Sequence, residues 1–221
     1  MLTTRVAAAA GVGSFLLAFV ELLGPGFPGT GASAHALDSY FVDHRTWALS
    51  AVVVQGLGNV IWIVFLCGLA QFVGRAAGGV LGLVCGSLNV AVSLAGLSCV
   101  AGLAYGIAGS GDPQVVKAVF TLAAMTLVIS NFMLAGMAAG FAASPALPSA
   151  FRVTTGAIAI VFLVGGAALA RHGALSPDGA LQFATYLLEL VWTLAAGIVL
   201  WRGSTSRDHG TASPAAVPVS H

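Results

Sequence analysis

Long apolar runs, interrupted at charges, prolines and glycine-rich turns, set the pattern of this chain. Charges and prolines mark the breaks because neither sits comfortably in hydrocarbon. Six runs lie between them, at 6–23, 46–73, 80–105, 115–142, 153–170 and 181–201. At about 1.5 Å per residue, a helix of roughly 18 residues or more crosses a hydrocarbon core of about 30 Å, longer ones with tilt. The pattern therefore predicts an all-α fold, a polytopic membrane helix bundle with six transmembrane helices, over residues 1–201. The connection 24–45 is long, opens on "GPGFPGTG", and reads as an outer loop. The connection 74–79 is short enough to force an antiparallel hairpin. The others, "GIAGSGDPQ", "SPALPS" and "HGALSPDG", carry ordinary turn chemistry. The polar, Pro- and Ser-rich residues 202–221 read as a disordered cytoplasmic tail.

Composition makes the solvent explicit. The 221 residues are 58% hydrophobic and 7% charged, with 29 glycines, and the mean hydropathy is +1.00. A soluble domain carries about 25% charged residues, so this chain cannot cover itself in water and its main partner is the lipid bilayer. A net charge of +1, with no basic patch, excludes a nucleic-acid partner. With six spans both termini share a side. Arg5, Arg75, Arg152, Arg202 and Arg207 fall there, against Arg45, Lys117 and Arg171 opposite. Cationic loops stay inside, so both termini are expected in the cytoplasm of a bacterial cell, with the protein in its cytoplasmic membrane. Arg5, the first apolar run and "ASA" at 32–34 also have the layout of a signal peptide cleaved before His35. Against cleavage, Glu21 interrupts the run, and eleven residues separate Leu23 from the site.

Cys67, Cys85 and Cys99 lie inside spans and form no C-x-x-C, which removes thiol–disulfide exchange and iron–sulfur chemistry. Cys85 and Cys99 are too far apart along one helix to pair. Cys67 and Cys85 flank the short hairpin, where small packing residues near a reducing compartment are the simpler reading. The pairs Gly82/Gly86, Gly102/Gly106 and Gly136/Gly140 have G-x-x-x-G spacing, which lets helix backbones approach closely.

Polar residues inside the spans are the candidate chemistry, because an ionisable group there costs a few kcal/mol or more unless it faces the bundle or water. Glu189 is the deepest. Gln182, Thr185, Tyr186, Trp192 and Thr193 stand three, four or seven residues from it, giving one polar and aromatic stripe on an apolar helix. Span two carries Gln55 and Asn59 one turn apart, followed by Trp62; span three carries Asn89 and Ser93; span four carries Thr126, Ser130 and Asn131. The functional reading is a polar pocket in the outer half of the bundle, built from Glu189, Tyr186, Gln182, Gln55, Asn59 and Asn89, with Glu189 as proton-titratable group or cation ligand. The structural reading is that the amides and hydroxyls join helices by hydrogen bonds worth roughly 0.6–2 kcal/mol each.

A second polar cluster, Asp43, His44 and Arg45, lies in "LDSYFVDHRTW" on the outer side. There Asp43 suits the cap of span two, Arg45 suits Asp43 or a lipid phosphate, and Tyr40, Phe41 and Trp47 suit the interfacial aromatic belt. The histidines and aspartates of that face match no compact ligand motif, so no metal site is expected. No histidine lies within a span, and no nucleophile–histidine, H-E-x-x-H or phosphate-cradling motif is present. No catalytic residue and no cofactor are therefore implied.

The stretch "SYFVDHRTWALSAVVVQGLGNVIWIVFLCGLAQFV", 39–73, together with the six-span profile, resembles a group of uncharacterised multi-pass membrane proteins of actinobacteria. The resemblance implies the fold and the membrane location and brings no activity and no site residue. Three functions follow: binding or transport of a small solute or proton at the Glu189 site; a non-catalytic component packed with a membrane protein partner or in a homo-oligomer; and an enzyme acting on lipid through His44 and its neighbours.

Overall fold

A computed structural model describes residues 3–21, 23–74, 77–170 and 173–210, with Glu21 and 204–210 as backbone alone. Among the described residues all regular structure is helical: α1 (Thr4–Glu21), α2 (Ala34–Asp43), α3 (Arg45–Val73), α4 (Ala77–Gly102), α5 (Pro113–Ala142), α6 (Ser149–Gly166) and α7 (Ala180–Gly210). The end of α4 widens into a π-helical turn, Leu103–Ile107. Five helices are long and apolar enough to cross a membrane: α3, α4 with its π turn, α5, α6 and α7. The apolar part of α1, Thr4–Val20, is shorter than that length, because Glu21 and the Gly-Pro-Gly break at 24–26 end it.

The helices form a ring in which each packs on its neighbours in the order α1, α3, α4, α5, α6, α7 and back to α1. Two of the G-x-x-x-G pairs build the α4–α5 seam. A Cβ on Gly140 would stand 2.6 Å from the Gly82 backbone nitrogen, and one on Gly136 would stand 2.7 Å from Cys85 Sγ. Those glycines are consumed inside the chain. Arg152 lies in the first turn of α6, and its Nε donates to the carbonyl of Ala142 at 2.9 Å, satisfying an end carbonyl of α5 where a cation is favoured. That contact lets α6 begin at Ser149, behind Pro148, four residues before the apolar run starts. Cys67, Cys85 and Cys99 are free thiols.

The expected loop 24–45 is corrected: it contains α2. Ser33 caps the helix, its hydroxyl accepting from the Ala36 N–H at 3.1 Å, and Leu37 and Phe41, one turn apart, are fully buried. They pack with Ala48, Leu103, Val116 and Phe120, and burial of each is worth roughly 1.5–3 kcal/mol. Asp38 Oδ1 also accepts from the Gly109 N–H at 2.8 Å, where Gly109 has φ +75°, a conformation glycine adopts at little cost. At the other end of the chain, α7 runs on through Gly210, nine residues past the expected end of the span at Trp201. The remainder of the expected tail, 211–221, lies outside the described residues.

Packing is solid at one end of the ring. Phe65, Leu66, Leu69, Met137, Phe141, Phe162, Trp192 and Leu200, with Ala7 and Ala8 of α1, make one continuous core. The opposite end, where α1 finishes and α3 and α7 begin, is hollow.

Candidate functional site

The hollow is a cavity of about 470 Å³ lined by α1, α3, α4, α5 and α7 and by the connections 24–27 and 177–179. Its size falls within the roughly 300–1,000 Å³ range of small-molecule pockets. On α7 the i, i+3, i+4 spacing turns Gln182, Thr185, Tyr186, Glu189 and Thr193 to one face, and all five line it. Gln55, Asn59 and Trp62 enter from α3, Asn89 and Ser93 from α4, and Ser130 and Asn131 from α5. Every residue expected in the polar pocket, Glu189, Tyr186, Gln182, Gln55, Asn59 and Asn89, therefore meets the same space. Two members of the sequence stripes do not. Trp192 turns into the closed end, stacks on Phe141 with ring centres 5.9 Å apart, and donates from Nε1 to Thr155 Oγ1 at 3.1 Å. Thr126 lies against Gly96 on the α4–α5 seam.

Part of the lining joins helices. Asn131 Nδ2 donates to Gln182 Oε1 at 2.9 Å, and Gln182 Nε2 donates to the Leu127 carbonyl at 3.1 Å, tying α5 to α7. Tyr186 donates its hydroxyl proton to the Ala18 carbonyl at 3.1 Å, tying α7 to α1. Trp62 Nε1 donates to Thr193 Oγ1 at 3.1 Å, tying α3 to α7 across the cavity floor. Beneath that bond the aromatic core shuts the bundle, so the cavity is one-ended.

Other residues of the lining have no such role. Asn89 is 3% exposed, and its Oδ1 has no hydrogen-bond partner among the described residues. Glu189 lines the cavity nine residues into α7, about 14 Å below the start of the helix. No described residue forms a hydrogen bond or ion pair with its carboxyl. Trp47 Nε1, near the mouth, is likewise buried and unpartnered among the described residues, with Gly24 set against its ring.

Across the mouth two connections are joined. The Thr30 N–H and Oγ1 donate to the Asp178 carboxylate at 2.9 Å and 3.1 Å. Burial pushes the Asp178 carboxyl up, but hydrogen bonds from Ser176, its own backbone N–H and Thr30 outweigh that and hold it below the usual carboxylate value. Gly29 leaves room for this contact, since a Cβ there would run into Asp178 Oδ2. Asp178 and Thr30 are 148 residues apart, and each sits in a stretch that reads only as a turn, so no sequence signal announced the pair.

Asp43, His44 and Arg45 stand outside the cavity, at the junction of α2 and α3. The expected Asp43 cap on α3 is corrected: Asp43 ends α2, and His44 occupies the cap position without a side-chain bond. One residue separates the two helices, so the last turn of α2 claims Asp43. The His44 ring stacks on Tyr40 at 4.5 Å, and burial pushes the Tyr40 hydroxyl up from its ordinary value. Tyr40 donates to the Pro25 carbonyl at 3.1 Å, and Phe41 is core instead of interfacial belt. Asp43 and Arg45 are exposed. Among the described residues no three His, Cys, Asp or Glu side chains converge as a metal site; His172 lies outside the described residues. Comparison with protein-family models, curated proteins and solved structures finds no match to this chain.

Proposed function

We propose that the chain is a six-span protein of the bacterial cytoplasmic membrane, with both termini cytoplasmic, whose one-ended cavity binds a small solute around Glu189 from the outer side. The observation that carries this reading is the convergence of six separately spaced polar residues on one cavity. A carboxyl within a membrane span is costly unless it meets water, a partner or a ligand, and Glu189 faces the cavity. Packing of α1 between α3 and α7 supports a sixth span, and the Arg and Lys distribution supports the orientation. The resemblance to the actinobacterial group supports the choice of membrane. Helix joining accounts for Gln182 and Tyr186, and supports a purely structural role for those two. It leaves Glu189 and the Asn89 oxygen unexplained, which is why binding is preferred.

The test is the small-molecule content of protein purified from its own membrane, read by mass spectrometry against Glu189→Gln. Binding at Glu189 predicts a solute present in near-stoichiometric amount in the wild type and lost from the variant. Identical extracts, with the variant more heat-stable, would mean that the cavity is a packing feature.

A further inference from the structure

We infer that the solute is a protonated amine carried on a small apolar body. This deepens the solute-binding reading and rests on it. Among the described residues lining the cavity, Glu189 and Asp178 bring carboxyl groups and no side chain is basic. Low-dielectric walls around charge of one sign concentrate the opposite sign. Asn89 lines the same space, and its buried Oδ1 has no partner among the described residues, so a group that satisfies it once the side chain turns brings an N–H or O–H proton. An ammonium supplies the charge complementary to the Glu189 carboxylate and a donor of the kind that the Asn89 oxygen lacks. Phe15, Trp62, Tyr186 and Leu134 are among the other residues of the lining, aromatic and apolar groups of the kind that suit a cation and its apolar body.

A bare metal cation fits less well. Calcium takes six to eight oxygen ligands and magnesium a near-octahedral shell, whereas a single carboxylate stands at depth here and the space is about 470 Å³. An anion would meet two carboxylates.

The experiment is a titration of the purified full-length protein in lipid nanodiscs, followed by tryptophan fluorescence, since Trp47 and Trp62 line the cavity. The probes are 2-phenylethylammonium, 2-phenylethanol and 3-phenylpropionate, which share a ring and differ in charge. The ammonium is expected to bind at least tenfold more tightly than the alcohol, and the carboxylate more weakly than either. Glu189→Gln should bring ammonium and alcohol within about twofold of each other. If the alcohol or the carboxylate binds as tightly as the ammonium in the wild type, the amine inference fails while solute binding stands. Failure of all three to bind saturably would overturn both. A saturable response to sodium chloride that excludes the ammonium would replace the amine by an inorganic cation.

Discussion

Asp178→Ala should loosen the mouth of the cavity while leaving the bundle folded. The side chain joins the α1–α2 connection to the α6–α7 connection through two hydrogen bonds from Thr30, at 2.9 Å and 3.1 Å. A hydrogen bond to a charged group is worth about 1.5–3 kcal/mol, but Asp178 is exposed, and exposed pairs are screened to about 1 kcal/mol or less. A loss of roughly 1 kcal/mol for the pair corresponds to about a fivefold rise in local opening. Hydrogen exchange measured on peptides covering 24–33 should therefore accelerate about fivefold, with little change in the melting temperature of the whole protein. The pH dependence follows from the carboxyl being held below its ordinary value of 3.8. A depressed folded pKa stabilises above the unfolded value and is lost as pH falls through the folded one, so the latch is whole above about pH 4 and fails only in stronger acid. Asp178→Asn should lose this acid sensitivity. Unchanged exchange at Thr30 in Asp178→Ala, or equal acceleration throughout the bundle, would refute the latch.

Three further outcomes are expected. Gly140→Ala places a Cβ 2.6 Å from the Gly82 nitrogen and 2.7 Å from the Gly78 carbonyl, with backbone on both sides and nothing flexible to yield. It should destabilise by about 1–3 kcal/mol in a thermal or denaturant unfolding assay. Trp62→Phe removes the donor to Thr193 Oγ1 at 3.1 Å; in a double-mutant cycle with Thr193→Val the coupling should be about 0.6–1.7 kcal/mol, and zero coupling would deny the bond. Asn89→Leu removes a buried acceptor that has no partner among the described residues and whose burial costs roughly 1–3 kcal/mol. It should raise the melting temperature while weakening binding of 2-phenylethylammonium, a pairing expected of a site that sacrifices stability for recognition.

The helices were legible because apolar length is a one-dimensional signal. The runs at 46–73 and 115–142 match α3 and α5 within two residues at their starts and match their ends at Val73 and Ala142. The polar pocket was legible for a related reason: helical spacing turns Gln182, Tyr186 and Glu189 to one face whatever lies opposite. What escaped was tertiary. The helix α2 is short, and its support comes from Leu103, Val116 and Phe120 far along the chain. Trp192 shares the spacing of the stripe, yet the larger apolar contact with Phe65 and Phe141 draws it into the closed end. The Thr30–Asp178 join depends on two turns meeting in space, and neither turn carries a pattern that names its partner. The helix α6 starts four residues ahead of its apolar run because the charge of Arg152 is held at a helix end that welcomes a cation.

A water-accessible cavity that reaches Glu189 from one side only can be probed by cysteine accessibility in intact cells. In a background with Cys67, Cys85 and Cys99 replaced by alanine, Asn59→Cys places a thiol in the cavity lining and Ala138→Cys places one in the closed core. A membrane-impermeant cationic methanethiosulfonate reagent added outside should label the first and leave the second unmodified. Labelling of Asn59→Cys from the cytoplasmic side alone, or no labelling from either side, would rule out a cavity open to the outside.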